Sequence, residues 1–308
     1  MKEERYITID IHATGIRSGV LRAHETRGTI RLADVLLQED CIDLPANGGP
    51  GIRDAVLRIV RERKEQFDAS AVCIATAGIV EPVRGIVFHA PAFLPDYADT
   101  NWKELIREHC GLPCETDNAF NCAGLAEDVS GAAMSARSSL CLSIGDEVGA
   151  CIIIDGKIWR GHSLSACAVG YLPMYGSTFE TLASTDALVR KVAAIKGNLS
   201  LPWGSGRIFE EAKNGDKDCV RAIDDMCEVI GRGISTICYV LNPEIVVLGG
   251  PAMTQHRFLL PRIRAAMEKY MIEPLTVNTF IASAAHGYLA PMLGAYYHYL
   301  SMRNSKET

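Results

Sequence analysis

Acidic side chains in a few places along this sequence could accept a proton from a substrate or hold a divalent cation. Asp146 and Glu147 are adjacent in a glycine-flanked segment, and paired carboxylates are oxygen ligands of the kind that magnesium prefers. The same pair also fits an exposed acidic hairpin turn, so both interpretations stay open. A carboxylate beside a reacting hydroxyl can act as a general base. Asp96, Asp99 and Asp117, earlier in the chain, are further carboxylates of this kind.

The cysteines and histidines favour packing over chemistry. The eleven cysteines lie mostly within apolar segments such as SLCLSIG and GACIII, which predicts reduced core residues rather than a disulfide framework. Cys110 and Cys114 are close enough to suggest a metal pair, but no second Cys or His pair has the spacing of a zinc site. His12, His89 and His162 have no acid or nucleophile at a spacing that indicates a triad.

Composition sets the class of protein. With 308 residues, 48% hydrophobic and 22% charged, the chain can bury a large core and is expected to divide into two lobes. A net charge of -6 gives no sign of a nucleic-acid surface. No run of 18 apolar residues predicts a membrane span, and the charged start MKEERY lacks the apolar centre of a signal peptide. We therefore expect a cytoplasmic protein without a membrane partner.

The elements that must position these residues alternate between strands and helices. In the first half, β-branched runs predict three antiparallel strands, at Arg5–His12, Ile16–Arg22 and Thr29–Gln38. Apolar spacing and stop signals predict the elements that follow: a helix over Pro50–Phe67, a buried strand over Ala71–Thr76 and a helix over Asn101–Cys110.

The second half repeats this order. Strands are predicted at Ser138–Ile144, Gly149–Asp155, Lys157–Arg160, Ile245–Leu248 and Val277–Ala282, with Asp155-Gly156 as a hairpin turn. Helices are predicted at Thr178–Ala194, Gly206–Asn214, Asp216–Leu241, Arg257–Tyr270 and Ala290–Leu300. Two units of hairpin followed by helices indicate an internally duplicated α/β architecture.

One ungapped stretch resembles a known family. GLPCETDNAFNCAGLAE, at 111–127, resembles the pattern G-L-P-x-x-x-E-N-D-A-N-x-x-A-L-A-E of ROK proteins (repressors, open reading frames, kinases). Four further segments are similar to ROK patterns: 10–21, 76–91, 142–161 and 241–253. The C-terminal part is also similar to allose kinases. The resemblance implies an α/β, two-lobed actin-like ATPase fold (ribonuclease H-like, duplicated). A small lobe would comprise 1–118 and the C-terminal helix 290–308, and a large lobe 119–289.

By the resemblance, the two phosphate loops and the adenosine segment of ROK kinases correspond to three segments of this chain. Both phosphate loops are altered, and the adenosine segment has gained a proline. The first loop, D-I-G-G-T in the family, keeps Asp10 and Thr14, but His12 and Ala13 add side chains where phosphate would approach. Turn formation is the alternative role for Asp10 and Thr14. The pattern G-T-G-I-G-G becomes GDEVGA, and the adenosine segment becomes LGGP. The glycines retained in these two segments are Gly145, Gly149, Gly249 and Gly250.

The catalytic and sugar positions are altered as well. The family's catalytic aspartate falls on Ala119, and Asp117 is a displaced candidate for the base. Alanines replace two sugar ligands, at Ala92 and Ala168, and Tyr171 replaces a histidine. Asn118 and Glu180 remain as sugar-cleft residues, with a turn and the first turn of a helix as their alternative roles. The family's zinc cysteine cluster is absent, so no metal site is predicted.

These substitutions predict a ROK sugar-kinase-like protein with degraded ATP, sugar and zinc sites. We expect a catalytically inactive, ligand-sensing or regulatory homologue that binds a small carbohydrate and forms a homodimer. The alternative is an active ATP-dependent carbohydrate kinase with a drifted site, acting on a hexose such as an allose-like sugar, with ATP and Mg²⁺ as cofactors. ROK repressors carry an N-terminal helix-turn-helix, whereas here the first strand is predicted about five residues after Met1, so nucleic-acid binding through this chain is not expected.

Overall fold

The structure is a computed structural model that describes residues 3–26, 29–197 and 202–304. Its strands are β1 (Glu3–His12), β2 (Gly15–Thr26), β3 (Thr29–Ile42), β4 (Ala71–Thr76), β5 (Ile79–Glu81), β6 (Ile86–His89), β7 (Thr100–Asn101), β8 (Cys114–Asn118), β9 (Ser138–Ile144), β10 (Val148–Ile154), β11 (Lys157–Ile158), β12 (Pro173–Met174), β13 (Ser177–Thr178), β14 (Ile245–Gly249) and β15 (Phe280–Ser283). Its helices are α1 (Gly49–Phe67), α2 (Trp102–Cys110), α3 (Ala119–Ser130), α4 (Phe179–Ala183), α5 (Thr185–Lys196), α6 (Ser205–Lys213), α7 (Lys217–Leu241), α8 (His256–Glu268), α9 (Glu273–Asn278) and α10 (Ala290–Asn304).

The first of two compact units contains the described residues of 1–126, 161–165 and 289–308. Its main sheet has the order β3-β2-β1-β4-β8, in which β1 to β3 are antiparallel and β4 and β8 run parallel to β1. Alternate residues of β1 face opposite sides of this sheet. Ile7 and Ile9 belong to a core with α1 and α2, while Tyr6 packs with Tyr296 of α10. Both faces are therefore covered, which explains why every residue of β4 is buried.

The second unit contains the described residues of 127–160 and 166–288. Its sheet has the order β11-β10-β9-β14-β15, again three antiparallel strands followed by two parallel ones. The long helix α7 contributes more residues to the main core of this unit than any other helix. The predicted internal duplication is therefore present in the two sheets. The break between the units lies within α3, after Ala126, whereas the sequence prediction placed the boundary between residues 118 and 119.

Two predicted elements differ from the structure. The helix predicted over 178–194 is interrupted at Ser184, whose extended backbone lets its side chain accept the Ala187 N–H and cap α5. The strand predicted over 277–282 begins later, because Pro274 starts the short helix α9 ahead of β15. The Asp155-Gly156 hairpin is confirmed, with φ of 48° and 71° at the two turn residues.

Helix α10 extends to Asn304, and the last four residues of the predicted C-terminal helix lie outside the described residues. In the described part of the chain, no helix is long and apolar enough to cross a membrane. One close contact fixes α10 against α3 within the first unit. A Cβ at Gly294 would lie 2.8 Å from the Cys122 Cα and closer still to its carbonyl oxygen, so only glycine fits there.

Candidate functional site

Ala119 is the first residue of α3 and follows directly on β8. Its methyl group packs against an apolar cluster that includes Tyr6, Cys122 and Tyr296. A methyl group accepts no proton from a substrate. The position that the predicted pattern gives to a catalytic aspartate is therefore occupied by a packing residue.

Asn118 ends β8, and its side chain is bonded to the backbone around it. Its Oδ1 atom accepts hydrogen bonds from the N–H groups of Phe120 at 2.9 Å and Asn121 at 3.2 Å, so it caps the start of α3. Its Nδ2 atom donates to the Gly78 carbonyl oxygen at 2.7 Å. These bonds use most of the amide group, so the side chain has a structural task whether or not it also binds a ligand.

Asp117 is fully buried in the first unit. Its Oδ1 atom accepts hydrogen bonds from the Asn118 N–H at 2.7 Å and from Asn121 Nδ2 at 3.3 Å. Its Oδ2 atom lies 3.8 Å from Nδ1 of His298, which is also buried. A carboxylate enclosed in this way cannot reach the hydroxyl of a bound substrate. The geometry argues against Asp117 as a displaced base.

The two other acidic candidates, Asp96 and Asp99, are exposed on the loop between β6 and β7. Both have positive φ, at 55° and 61°. The loop is held from within by Tyr97, whose buried hydroxyl is 2.6 Å from Thr76 Oγ1 and accepts a hydrogen bond from Trp102 Nε1 at 2.9 Å. This anchoring explains the ordered loop, and both carboxylates remain in contact with solvent.

Asp10 lies inside β1 and not in the turn that follows it. Its Oδ2 atom is 3.7 Å from Arg17, and its Oδ1 atom has no hydrogen-bond partner among the described residues. Burial raises the pKa of Asp10 to about 7, although the Arg17 charge acts in the opposite direction. In the strand register Asp10 is opposite Ala75, which is opposite Asp117, so the two aspartates lie in one row of the sheet.

Thr14 occupies the exposed two-residue turn between β1 and β2. Its N–H group and Oγ1 atom contact Nδ1 of His12 at 3.4 Å and 3.1 Å. The turn interpretation therefore fits Thr14, whereas Asp10 is a buried strand residue. The His12 ring lies where the family pattern has a bare glycine, against the turn amide that the pattern would offer to phosphate.

The acidic hairpin tip between β9 and β10 is tied to the start of α5. Asp146 Oδ1 accepts a hydrogen bond from Thr185 Oγ1 at 2.6 Å, and the Thr185 N–H donates to the Gly145 carbonyl oxygen at 2.8 Å. Burial raises the pKa of Glu147 to about 7, and the neighbouring Glu180 and Asp146 carboxylates act in the same direction. Negative charge is thus already concentrated at this tip.

The glycines of the two loops in the second unit serve close packing. A Cβ on Gly145 would lie 2.9 Å from Cδ of Pro251, and one on Gly250 would lie 2.6 Å from backbone atoms of Ile144. Gly250 also has a φ of 86°. Gly249 faces Ala284, with 3.3 Å between a Cβ built on it and the alanine Cβ. Gly149 is buried in β10 opposite Ser143.

Glu180 and Tyr171 lie near the same hairpin in the second unit but are used differently. Glu180 Oε2 accepts a hydrogen bond from the Val148 N–H at 3.0 Å, so the carboxylate is held against the start of β10. Tyr171 is 72% exposed in the 3₁₀ turn Val169–Tyr171. The turn follows Cys167, a non-glycine residue with a φ of 67°. A polar ligand could reach Tyr171 freely, while Glu180 would have to share its bond to the backbone.

The second unit also contains two sets of contacts that the sequence patterns do not predict. The buried Glu127 carboxylate accepts hydrogen bonds from three backbone N–H groups of the second unit, those of Ala132, Ala285 and His286. The guanidinium of Arg232, in α7, lies over the rings of both Tyr175 and Tyr270. Neither arrangement has a sequence signal, because each includes partners that are far apart in the chain.

The sequence model of the ROK family matches residues 33–301, which are most of this chain. The chain belongs to the ROK family. An uncharacterised protein of Clostridium perfringens is 36% identical to this ROK chain over 295 residues, which are 96% of this chain and 97% of that protein. The family predicted from the motif at 111–127 is therefore confirmed.

Two solved ROK structures are similar over nearly the whole chain. A ROK family glucokinase from Streptomyces griseus, in complex with glucose and AMPPNP, has a TM-score of 0.80 at 25% identity and covers 94% of this chain and 97% of its own. A ROK family protein from Streptococcus pneumoniae TIGR4, in complex with sucrose, has a TM-score of 0.80 at 26% identity, covering 98% and 99%. The actin-like ATPase fold predicted from the sequence is confirmed, and the chain is a ROK sugar-kinase-like protein.

The metal that the family pattern implies does not fit this ROK chain. Where the zinc cysteines would be inserted, β12 and β13 are joined by the two-residue turn Tyr175-Gly176, with φ of 49° and 75°. The described residues contain no group of three His, Cys, Asp or Glu side chains that could hold a metal ion. Cys110 and Cys114 are buried, and burial raises the pKa of both thiols, as expected of core residues.

Proposed function

We propose that this ROK protein binds a small carbohydrate and does not transfer a phosphoryl group to it. The observation that carries the proposal is the position of Ala119, which begins α3 directly after β8 with its methyl group packed in an apolar cluster. General-base catalysis contributes about 10²- to 10⁴-fold to a rate. Asp117 does not replace the base, because its carboxylate is buried and bonded to Asn118 and Asn121.

The hairpin tip in the second unit supports the same proposal. Asp146 and Glu147 bring two carboxylates to the loop that would contact phosphate, and like charges at close range in a partly buried place repel by about 1 to 4 kcal/mol. Pro251 lies against Gly145 and offers no N–H group. The residues present therefore fit a triphosphate poorly at this loop.

A carbohydrate ligand is supported by the similar proteins and by the remaining polar groups. The Streptomyces griseus glucokinase holds glucose, and the Streptococcus pneumoniae protein holds sucrose. This chain keeps Asn118 and Glu180, which offer an amide and a carboxylate for sugar hydroxyls. Ala92, Ala119 and Ala168 remove polar partners, so we expect weak binding of ordinary hexoses and a preference for a ligand with fewer hydroxyl groups at those positions.

An active ATP-dependent sugar kinase is the second candidate, and Asp10 favours it. This carboxylate is buried within β1, with one oxygen without a partner among the described residues and a pKa raised to about 7 by burial. It could hold the hydration shell of Mg²⁺ in a nucleotide complex. The glucokinase similarity supports this candidate as well.

Phosphoryl transfer is tested by a coupled ATP-consumption assay on the purified chain with hexoses, including allose, and with amino sugars and β-glucosides. We expect no sugar-dependent turnover above background. Turnover of about 1 per second or more, which is ordinary for an enzyme, would establish the second candidate and exclude the first. Ala119→Asp is the matched variant, since it restores a carboxylate at the family position. We expect it to stay inactive while the hairpin tip is unchanged.

Binding is measured separately from turnover. Titration calorimetry with glucose and sucrose should show a carbohydrate complex in the absence of ATP, and the thermal midpoint should rise with ligand concentration because the ligand binds the folded state. Absence of binding to any sugar in the screen would contradict the proposal even if no turnover is seen. We infer a cytoplasmic homodimer from family membership, and sedimentation of the purified protein tests the dimer.

A further inference from the structure

The hairpin β12–β13 has too little pairing to be stable by itself. Each of its strands has two residues, Pro173–Met174 and Ser177–Thr178, and isolated two-stranded hairpins are marginal even when longer. Tyr175 at its tip has a φ of 49°, a conformation that non-glycine residues adopt only at a cost. Contacts from outside the hairpin must therefore hold it.

Arg232 supplies one such contact. Its guanidinium lies over two aromatic rings, 4.9 Å from the centre of Tyr175 and 4.3 Å from the centre of Tyr270. Its orientation is fixed by a hydrogen bond from NH2 to the Tyr270 hydroxyl at 2.8 Å. That hydroxyl in turn donates to Glu228, which pairs with Lys269 at 2.7 Å. The stack is therefore supported by α7 and by the segment after α8.

Gly233, the residue after Arg232 in α7, contacts Phe179, which follows β13. A Cβ on Gly233 would lie 2.5 Å from Cζ of Phe179, so the buried Phe179 ring rests directly on the α7 backbone. Two consecutive residues of α7 thus support Tyr175 and Phe179, which bracket β13. Glu180 follows immediately, with its Oε2 atom bonded to the Val148 N–H.

We propose that Arg232 is a positioning residue, which holds the β12–β13 hairpin through Tyr175 and thereby sets the place of Glu180 for a carbohydrate ligand. It does this without touching that ligand. The effect on ligand affinity rests on the proposed function, whereas the effect on Glu180 does not. The backbone N–H of Val148 reports on Glu180 directly, because it donates to that carboxylate.

The test compares Arg232→Met with Arg262→Met in the full chain. Arg262 is a matched control, since it stacks on Phe258 at 3.8 Å and pairs with Asp224, but its contacts are away from the hairpin. Residue-resolved hydrogen exchange is measured at Val148 and at Tyr175 to Thr178. We expect Arg232→Met to speed exchange at these amides at least about threefold, as expected for loss of a cation–π contact, and Arg262→Met to leave them unchanged.

Two tyrosine variants keep the test independent of general destabilisation. Tyr175→Phe retains the ring and should behave as the wild type, whereas Tyr175→Asn removes the ring, tolerates positive φ and should match Arg232→Met. Equal exchange at Val148 in Arg232→Met and Arg262→Met would overturn the inference. If glucose or sucrose binds, its Kd should rise about threefold or more in Arg232→Met alone. If no sugar in the screen binds, the proposed function fails, and exchange at Val148 still decides whether Arg232 positions Glu180.

Discussion

Thr185 donates a hydrogen bond from its hydroxyl to the Asp146 carboxylate at 2.6 Å, at the first residue of α5. The backbone N–H of Thr185 also donates to Gly145, so the hairpin tip is fastened to the helix through two bonds. The amino end of a helix attracts negative charge. Within the second unit, the Asp146 carboxylate thus occupies the amino end of α5, where the negative charge of a phosphate would otherwise be favoured.

Removing the charge at this tip should allow nucleotide binding. We expect the wild type to show no thermal shift with Mg²⁺–AMPPNP, and Asp146→Asn combined with Glu147→Gln to gain about tenfold or more in affinity, because repulsion is relieved while side-chain size is kept. Titration calorimetry measures the gain. Asp155→Asn changes an acidic residue at a different hairpin turn of the same sheet and should have no effect. Tight AMPPNP binding by the wild type would contradict the prediction.

Replacing the Asn118 side chain should reduce the stability of the protein and test whether this residue also binds a carbohydrate. Asn118→Ala removes the cap on two N–H groups and the bond to Gly78, and should cost about 1 to 2 kcal/mol of unfolding free energy, measured in urea. Asn101→Ala is the control, since Asn101 caps α2 through the Glu104 N–H. If Asn118 also binds the carbohydrate, Asn118→Ala alone should weaken its affinity. Equal affinity in both variants would limit Asn118 to capping.

Stability should fall as pH rises from about 5 to 8. Burial raises the pKa values of Asp10 and Glu147 to about 7, so both acids hold a proton more tightly in the folded state than in the unfolded one. The folded state is then favoured below the unfolded pKa, near 4, and loses this advantage as pH rises through about 7.

Asp10→Asn isolates one of these groups. Its urea midpoint should vary less with pH than that of the wild type, by an amount equivalent to about 3 kcal/mol or less between pH 5 and 8. Asp155→Asn, at an exposed turn, should follow the wild-type curve. The low pKa of Asp216, set by Lys196, acts only at more acid pH and does not enter this window. Parallel curves for Asp10→Asn and the wild type would show that Asp10 has an ordinary pKa.

The packing of α10 on α3 should depend on Gly294. A methyl group there would overlap the Cys122 backbone, so Gly294→Ala should destabilise the protein by about 2 kcal/mol or more. Gly206→Ala, in α6 with open space around it, should instead be neutral or stabilising by up to about 1 kcal/mol. Urea denaturation compares the two. A similar effect at both positions would mean that α10 can shift away from Cys122.

Local patterns in the sequence predicted most elements, because a strand or helix depends mainly on the spacing of its own residues. The Asp155-Gly156 turn and the duplicated order of strands are examples, whereas the ROK fold was implied by the resemblance of the 111–127 motif. The break at Ser184 was missed because capping of α5 by its side chain competes with continuous helical periodicity. Helix α9 was missed because its apolar residues also fit a strand.

For the candidate site, the sequence by itself determined which groups are available: Ala119 has no carboxylate, and the hairpin tip has two. Only the tertiary structure decided what the groups can do. It enclosed Asp117, left one oxygen of Asp10 without a partner among the described residues, and placed the Arg232 guanidinium over the Tyr175 ring. Burial, pKa and stacking arise from contacts between residues that are distant in the chain. Such contacts exist only once the sheets and helices have packed, so no local pattern encodes them.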